Sequence, residues 1–279
     1  MIETGFRIDN MNEHYFCYPL GTFVHRQRER GESRMVFWAS VPHLWVDQYG
    51  AEPCEQVFGP IEEAGITIDA IVARPYNYTL FAETDSLAGR HTMAYYRTMV
   101  SLTAEQGVSL LALELWGALR DEDREAQYQN CLGMLRELCG YAKSRGVELA
   151  VGNVPYSNSA MMNALPEVQR LVGEAGCDNL SVALDSGAAW LQGESLTEWM
   201  DAFGGRLRLV YLSDARNDGG GYPLSRGCCA VENELEQLKR RGFSGVAALR
   251  MSQDFCREDP AAVDKENIRY LTEISKIQR

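Results

Sequence analysis

A small set of side chains in this sequence has the types and positions needed for chemistry on a small polar molecule. Asp185, Glu114, Tyr211 and His43 are the acid–base candidates. Carboxyl, phenol and imidazole groups move protons when their surroundings bring the pKa near the working pH. Arg250 and Arg74 carry planar guanidinium forks, which suit a carboxylate, a phosphate or a developing oxyanion. Trp38, Trp116 and Tyr76, with Trp45 and Tyr78, offer flat rings on which a sugar face stacks; packing of loops is their competing role. Asn153 adds an amide with both donors and an acceptor. Arg250 and Asp185 also form a candidate ion pair, which would lower the carboxyl pKa.

These residues matter only if a scaffold gathers them. Eight short apolar, β-branched runs recur at 5–9, 34–41, 66–74, 109–116, 147–154, 180–187, 207–214 and 245–252, each followed by an amphipathic stretch. The stretch 121–145 sets Tyr128, Leu132, Leu135, Leu138 and Cys139 on one helical stripe, with acids in its first turn and Gly146 as its stop. Val231 to Arg241 repeats the pattern around Leu235 and Leu238. The last helix starts on Asp259 as cap and Pro260, and buries Val263, Ile268, Leu271 and Ile274. Gly219, Gly220 and Gly221 read as a loop.

Eight strand–helix units without a linker predict one (β/α)8 TIM barrel domain over 1–279. A doubly wound open sheet is the alternative, but no glycine fingerprint follows the first strand. In such a barrel the functional residues stand at the C-terminal strand ends. Side-chain alternation turns Val182 and Leu184 toward the helices, and Ser181, Ala183 and Asp185 inward. The same logic puts Arg250 at the top of the eighth strand, Glu114 and Trp116 at the fourth, Arg74 at the third, Tyr211 at the seventh, and Gly152 and Asn153 at the fifth.

Composition narrows the classes. With 27 Lys and Arg against 39 Asp and Glu the formal charge is −12, and no basic stripe is visible, so a nucleic-acid partner is not expected. The arginines at 26, 28, 30 and 34 alternate with Glu29 and Glu32 and read as a solvated helix end. No run reaches the roughly 20 apolar residues of a membrane span. The start Met1-Ile2-Glu3 lacks signal-peptide features, and eight cysteines without a CxxC pair read mostly as buried small apolar residues, so a cytoplasmic protein is expected. Only four histidines occur, and none follows His91. His14 and His91 read as solvated; His43 reads as a candidate for lining the site.

Four segments in order carry a resemblance: 146–155 (GVELAVGNVP), 181–188 (SVALDSGA), 207–214 (LRLVYLSD) and 242–251 (GFSGVAALRM). They resemble the sugar isomerase/epimerase family with the xylose-isomerase-like TIM barrel. The segment 37–43 (FWASVPH) and Pro75-Tyr76-Asn77 are similar to its ketose and fructoselysine 3-epimerase branch. The resemblance implies a small-molecule carbohydrate ligand and a homo-oligomer. It also implies a divalent ion such as Mn, Zn or Co, held by a Glu, an Asp, a His and a Glu on strands five to eight. Carried over position by position, these fall on Gly152, Asp185, Tyr211 and Arg250. Only the aspartate is kept. Glycine offers no side chain, a phenol ionises only near pH 10, and arginine is permanently cationic. No cofactor or metal is therefore expected. Two functions remain open: an isomerase or epimerase acting without the usual ion on a ketose, sugar phosphate or sugar acid, and a non-catalytic carbohydrate-binding or regulatory paralogue. A DNA-repair endonuclease on the same barrel would need histidine-rich zinc sites and a basic face, which the sequence lacks.

Overall fold

The strands close because each is apolar on both faces, one toward the barrel axis and one toward the helices. A computed structural model describes residues 7–277. Its barrel strands are β1 (Ile8–Met11), β2 (Arg34–Ala39), β3 (Thr67–Ala73), β4 (Leu110–Leu113), β5 (Glu148–Gly152), β6 (Leu180–Asp185), β7 (Leu207–Leu212) and β8 (Val246–Leu249). All pair in parallel with their sequence neighbours, and β1 pairs with β8, which closes the ring. The expected eight-stranded barrel is what forms. The first strand starts later than the expected 5–9, of which residues 5 and 6 lie outside the described residues.

Alternation sorts the side chains as anticipated. Val36, Trp38, Ala112, Ala150, Ala183, Leu209, Tyr211 and Ala248 fill the barrel interior. Val182, Leu184, Val210, Leu212 and Leu249 pack outward against the helices. The helices are α1 (Leu20–Glu29), α2 (Cys54–Glu63), α3 (Leu87–Glu105), α4 (Arg124–Lys143), α5 (Leu165–Ala175), α6 (Ser186–Leu191), α7 (Leu196–Phe203), α8 (Val231–Arg240) and α9 (Pro260–Ile277). Asp123 caps α4 by accepting from the amides of Glu125 and Ala126, and Asp259 caps α9 through the Ala262 amide.

Several expectations change. The glycines at 219–221 are not a plain loop: Gly219–Tyr222 pairs antiparallel with Asp214–Arg216 as a hairpin over the barrel mouth. Ile268 is only half-buried, whereas Asp264 and Asn267 on the same helix are fully buried. Arg30 is not solvated but reaches Asp264 at 2.9 Å. Of the cysteines, Cys131, Cys139 and Cys256 are buried, while Cys17 and Cys228 are exposed.

Gly152 ends β5 where the backbone of β6 passes closest. A Cβ built there would stand 1.5 Å from the carbonyl oxygen of Ala183, its register partner. No side chain of any kind fits without parting two barrel strands. Gly152→Ala should cost about 3 kcal/mol or more of stability, read from the urea midpoint. An unchanged midpoint would mean that the strands separate freely here.

Candidate functional site

The C-terminal strand ends deliver charges to one mouth. Arg250 stands two residues above Ala248, which pairs with Tyr211, which in turn pairs with Asp185. Its guanidinium therefore emerges over the Tyr211 ring, 4.9 Å from the centroid. Three carboxylates surround it. Nε lies 3.0 Å from Glu13, Nη2 bonds Glu114, and Nη1 stands 3.5 Å from Asp185. Arg74 repeats the first two contacts: Nη1 bonds Glu13, and Nε lies 3.4 Å from Glu114. Glu13 and Glu114 thus each bridge both arginines in a closed ring of four charges. Arg74 also lies flat on Trp116, 4.1 Å from the ring centroid.

The expected Arg250–Asp185 pair is the longest of the three Arg250 contacts. Its expected consequence reverses. Burial raises the Asp185 pKa above its ordinary value, and Arg250 with the Ala188 amide only partly opposes this. Burial also works against the charge on Arg250, but Glu114, Glu13 and Asp185 outweigh it and raise its pKa well above the ordinary value. Burial pushes the Tyr211 phenol well above its ordinary range, so it stays neutral, and its hydroxyl is buried without a hydrogen-bond partner among the described residues.

Above this ring lies a cleft of about 380 Å³. Glu13, Trp38, Arg74, Tyr76, Asp185 and Arg250 line it together with Ser213, the hairpin glycines Gly220 and Gly221, and Asp254. Six expected or newly found mouth residues are therefore gathered on one space. Other expectations are redirected. Asn153 does not line the cleft: its amide accepts from the Asp185 backbone N–H at 2.8 Å and donates to the Asp185 carbonyl at 3.0 Å. It clamps the end of β6. Asp185 has a structural task as well, since its Oδ1 accepts the Ala188 amide that starts α6. His43 lies behind Trp38. It accepts from Asn12 Nδ2 at 2.8 Å and donates from Nε2 to the Tyr18 carbonyl at 2.9 Å. Burial lowers its pKa, so it is a neutral brace between two loops and has no nitrogen free for proton transfer.

Glu13 escaped the sequence reading because it sits on a 3-10 turn, Asn12–Tyr15, that has no periodicity to read. The turn is held from below. His14, expected to be solvated, is buried and bonds Asp264 at 2.7 Å, and Tyr15 donates to the same carboxylate at 2.7 Å. Burial opposes the Asp264 charge, but His14 and Arg30 prevail and keep its carboxyl below the ordinary range. A second unread acid is Glu234 on α8. Its carboxyl is buried although its stem is partly exposed, and burial pushes its pKa up to about 7. Among the described residues no three His, Cys, Asp or Glu side chains form a group suited to a metal ion.

Two outcomes follow. Arg250→Met leaves Glu13, Glu114 and Asp185 short of a buried counter-charge and should cost about 3–5 kcal/mol, with Arg250→Lys intermediate, both measured by chemical denaturation. A parent-like midpoint for the methionine variant would refute the dependence. For Glu234, the folded chain keeps a proton between the ordinary value of 4.5 and about 7 that the unfolded chain has released. Stability should therefore fall as pH rises through that window. Glu234→Gln should remove that loss, raising stability at pH 8 by roughly 3 kcal/mol and leaving pH 4 nearly unchanged. Parallel melting profiles would refute it.

Comparison with known proteins agrees with this architecture. A family profile described as the xylose isomerase-like TIM barrel matches residues 33–274. No curated protein sequence matches. Among solved structures, an L-ribulose 3-epimerase superposes with a TM-score of 0.79 at 15% identity, over 98% of this chain and 96% of that one. The 3-keto-D-glucoside 4-epimerase of E. coli superposes with a TM-score of 0.77 at 15% identity, over 95% and 98% of the two chains. The IOLI protein, solved with a bound zinc atom, gives a TM-score of 0.77 at 15% identity, over 96% and 98%. At such identities the superpositions speak for the fold, and with the profile covering most of the sequence, this chain belongs to the xylose isomerase-like TIM barrel family.

Proposed function

We propose that the protein takes a small polyhydroxy compound of the sugar class in the cleft at its barrel mouth, without the divalent ion that the family resemblance implies. The observation that carries this reading is the Arg250 guanidinium held between Glu13, Glu114 and Asp185. A dication at that point would face a permanent positive charge. Gly152 has no room for a fifth-strand ligand, and the Tyr211 phenol stays protonated. The residues present do not fit the ion, so no step is routed through one.

The charge balance selects among sugar derivatives. Both arginines that would greet an anionic substrate are already engaged by carboxylates. Three carboxylates face two guanidiniums, which leaves no surplus positive charge for a phosphate or a sugar acid. A neutral ketose or related polyol fits better. Its hydroxyls would donate to Asp185 and Asp254 and accept from the outer edges of the guanidiniums, with Trp38 and Tyr76 against its apolar faces. A sugar epimerase or isomerase activity, as the solved neighbours' names describe for those proteins, is the relevant chemistry to test.

Whether the bound sugar turns over depends on a base. Glu13 and Glu114 have their oxygens engaged by two arginines each, and His43 is braced elsewhere, which favours recognition without turnover. Asp185 favours the second reading, an ion-independent isomerase or epimerase. It lines the cleft, burial raises its pKa above the ordinary value, and Arg250 stands beside it for an enolate-like oxyanion.

Calorimetry with fructose, fructose 6-phosphate and gluconate should give the neutral sugar the tightest binding, with Mn, Zn and Co salts leaving the melting temperature unchanged. Stoichiometric metal in the purified protein, or tighter binding of the phosphate, would overturn the proposal. Deuterium uptake by the bound ketose in heavy water, lost in Asp185→Asn, would establish the catalytic reading; its absence would establish recognition alone.

A further inference from the structure

A second groove adjoins the first. Its volume is about 110 Å³, and it runs between the loops that follow β2 and β3. Arg74 and Tyr76 line both spaces, so the groove adjoins the cleft and lies just outside it. Its floor is the Tyr78 ring, stacked on Tyr95 at 4.6 Å and braced by a hydrogen bond to Gln48. Its walls are Trp45 and Tyr76, which are 59% and 56% exposed. Large rings left open to water on two adjoining loops are an uncommon arrangement for surface that nothing covers.

Polar groups interleave with these rings. Asp47, Ser40 and Asn77 also line the groove. Asp47 receives the backbone amides of Tyr49 and Gly50 at 2.8 and 3.1 Å and lies 3.4 Å from the Trp45 indole nitrogen. Its carboxylate therefore stands fixed at the edge of the indole. Flat apolar faces with hydrogen-bonding groups at their rims complement a sugar ring, whose C–H faces are apolar and whose hydroxyls lie around its edge. A lipid chain would strip water from Asp47 and Asn77 and return no hydrogen bond, at a desolvation cost.

We infer that the groove is a second saccharide subsite, and that the ligand is a neutral glycoside or disaccharide with one ring in the mouth cleft and the next between Trp45 and Tyr76. This rests on the sugar-binding reading above and deepens it. Arg74 sits at the junction, where the glycosidic oxygen would pass. The long axis of such a ligand runs from Asp185 past Arg74 to Trp45.

Titration calorimetry can test this with fructose and glucose as one-ring probes, and maltose, cellobiose and phenyl β-D-glucoside as two-ring probes. At least one two-ring probe should bind about tenfold or more tightly than either one-ring probe. Trp45→Ala should abolish that advantage and leave one-ring affinity unchanged. Tyr49→Ala alters an exposed ring on the same loop after β2 that does not line the groove, and should change neither. An advantage that survives Trp45→Ala, or no advantage at all, overturns the subsite while leaving one-ring binding intact. Failure of every probe overturns both the subsite and the sugar-binding reading. A change from dimer to monomer in Trp45→Ala by light scattering, without any effect on the probes, assigns the rings to a contact between copies and also overturns the subsite.

Discussion

The ring formed by Arg74, Glu13, Arg250 and Glu114 is the constraint on which the mouth depends. Each arginine alone would be a costly charge to hold at the head of a barrel, and each glutamate equally so. Joined, every charge has two opposite neighbours, and the fork geometry fixes the mutual positions of β3, β4, β8 and the turn after β1. Such a network contributes modestly to net stability, since desolvation offsets much of the attraction, but it is intolerant of losing a member. It acts as a rivet across the strand ends. Asp185 stands next to the ring rather than within it, and there burial outweighs Arg250 and raises its pKa.

The remaining contacts hold this ring in register. Glu13 needs its 3-10 turn in place, and the turn is tied to α9 by His14, Tyr15 and Asp264. Asp185 needs the end of β6 in place, and Asn153 clamps its backbone from both sides. Asn12 joins Trp38 backbone atoms at 2.7 and 3.0 Å and hands the contact on to His43. Three polar residues that resemble catalytic groups by type, His14, His43 and Asn153, are thus consumed in positioning others. His43, with both nitrogens committed to neighbours, is a strut.

What the sequence made legible follows from periodicity. The two-residue alternation of β6, β7 and β8 is strict enough to send Asp185, Tyr211 and Arg250 inward, and it places them together. The helices α4, α8 and α9 announce themselves through caps, stops and stripes. The rest was hidden where period fails. Glu13 lies on a turn of four residues, and the Gly219–Tyr222 strand carries no side-chain pattern because it is nearly all glycine. His43 belongs to a dipeptide that resembles the family's, but its direction is set by the loop around it, and here Tyr18 and Asn12 capture both nitrogens. The bonds of Arg30 and Ile268's partial exposure depend on how α1 and α9 face each other, which no local window contains.

A guanidinium and a metal ion differ in what they leave for a ligand. A bound dication keeps coordination positions that exchange water for substrate oxygens, so much of the affinity for a sugar comes from the centre of the site. The forks of Arg250 and Arg74 are fixed by carboxylates, and only their outer edges face the cleft. On the proposed reading, recognition must therefore move outward, to walls that hold rings and hydroxyls. The molecule has such walls in Trp38 and Tyr76 at the cleft and in Trp45 with Asp47 beyond it. On that reading a closed charge ring at the centre and an open aromatic margin at the rim belong together, and a ligand longer than one sugar ring is what they would favour.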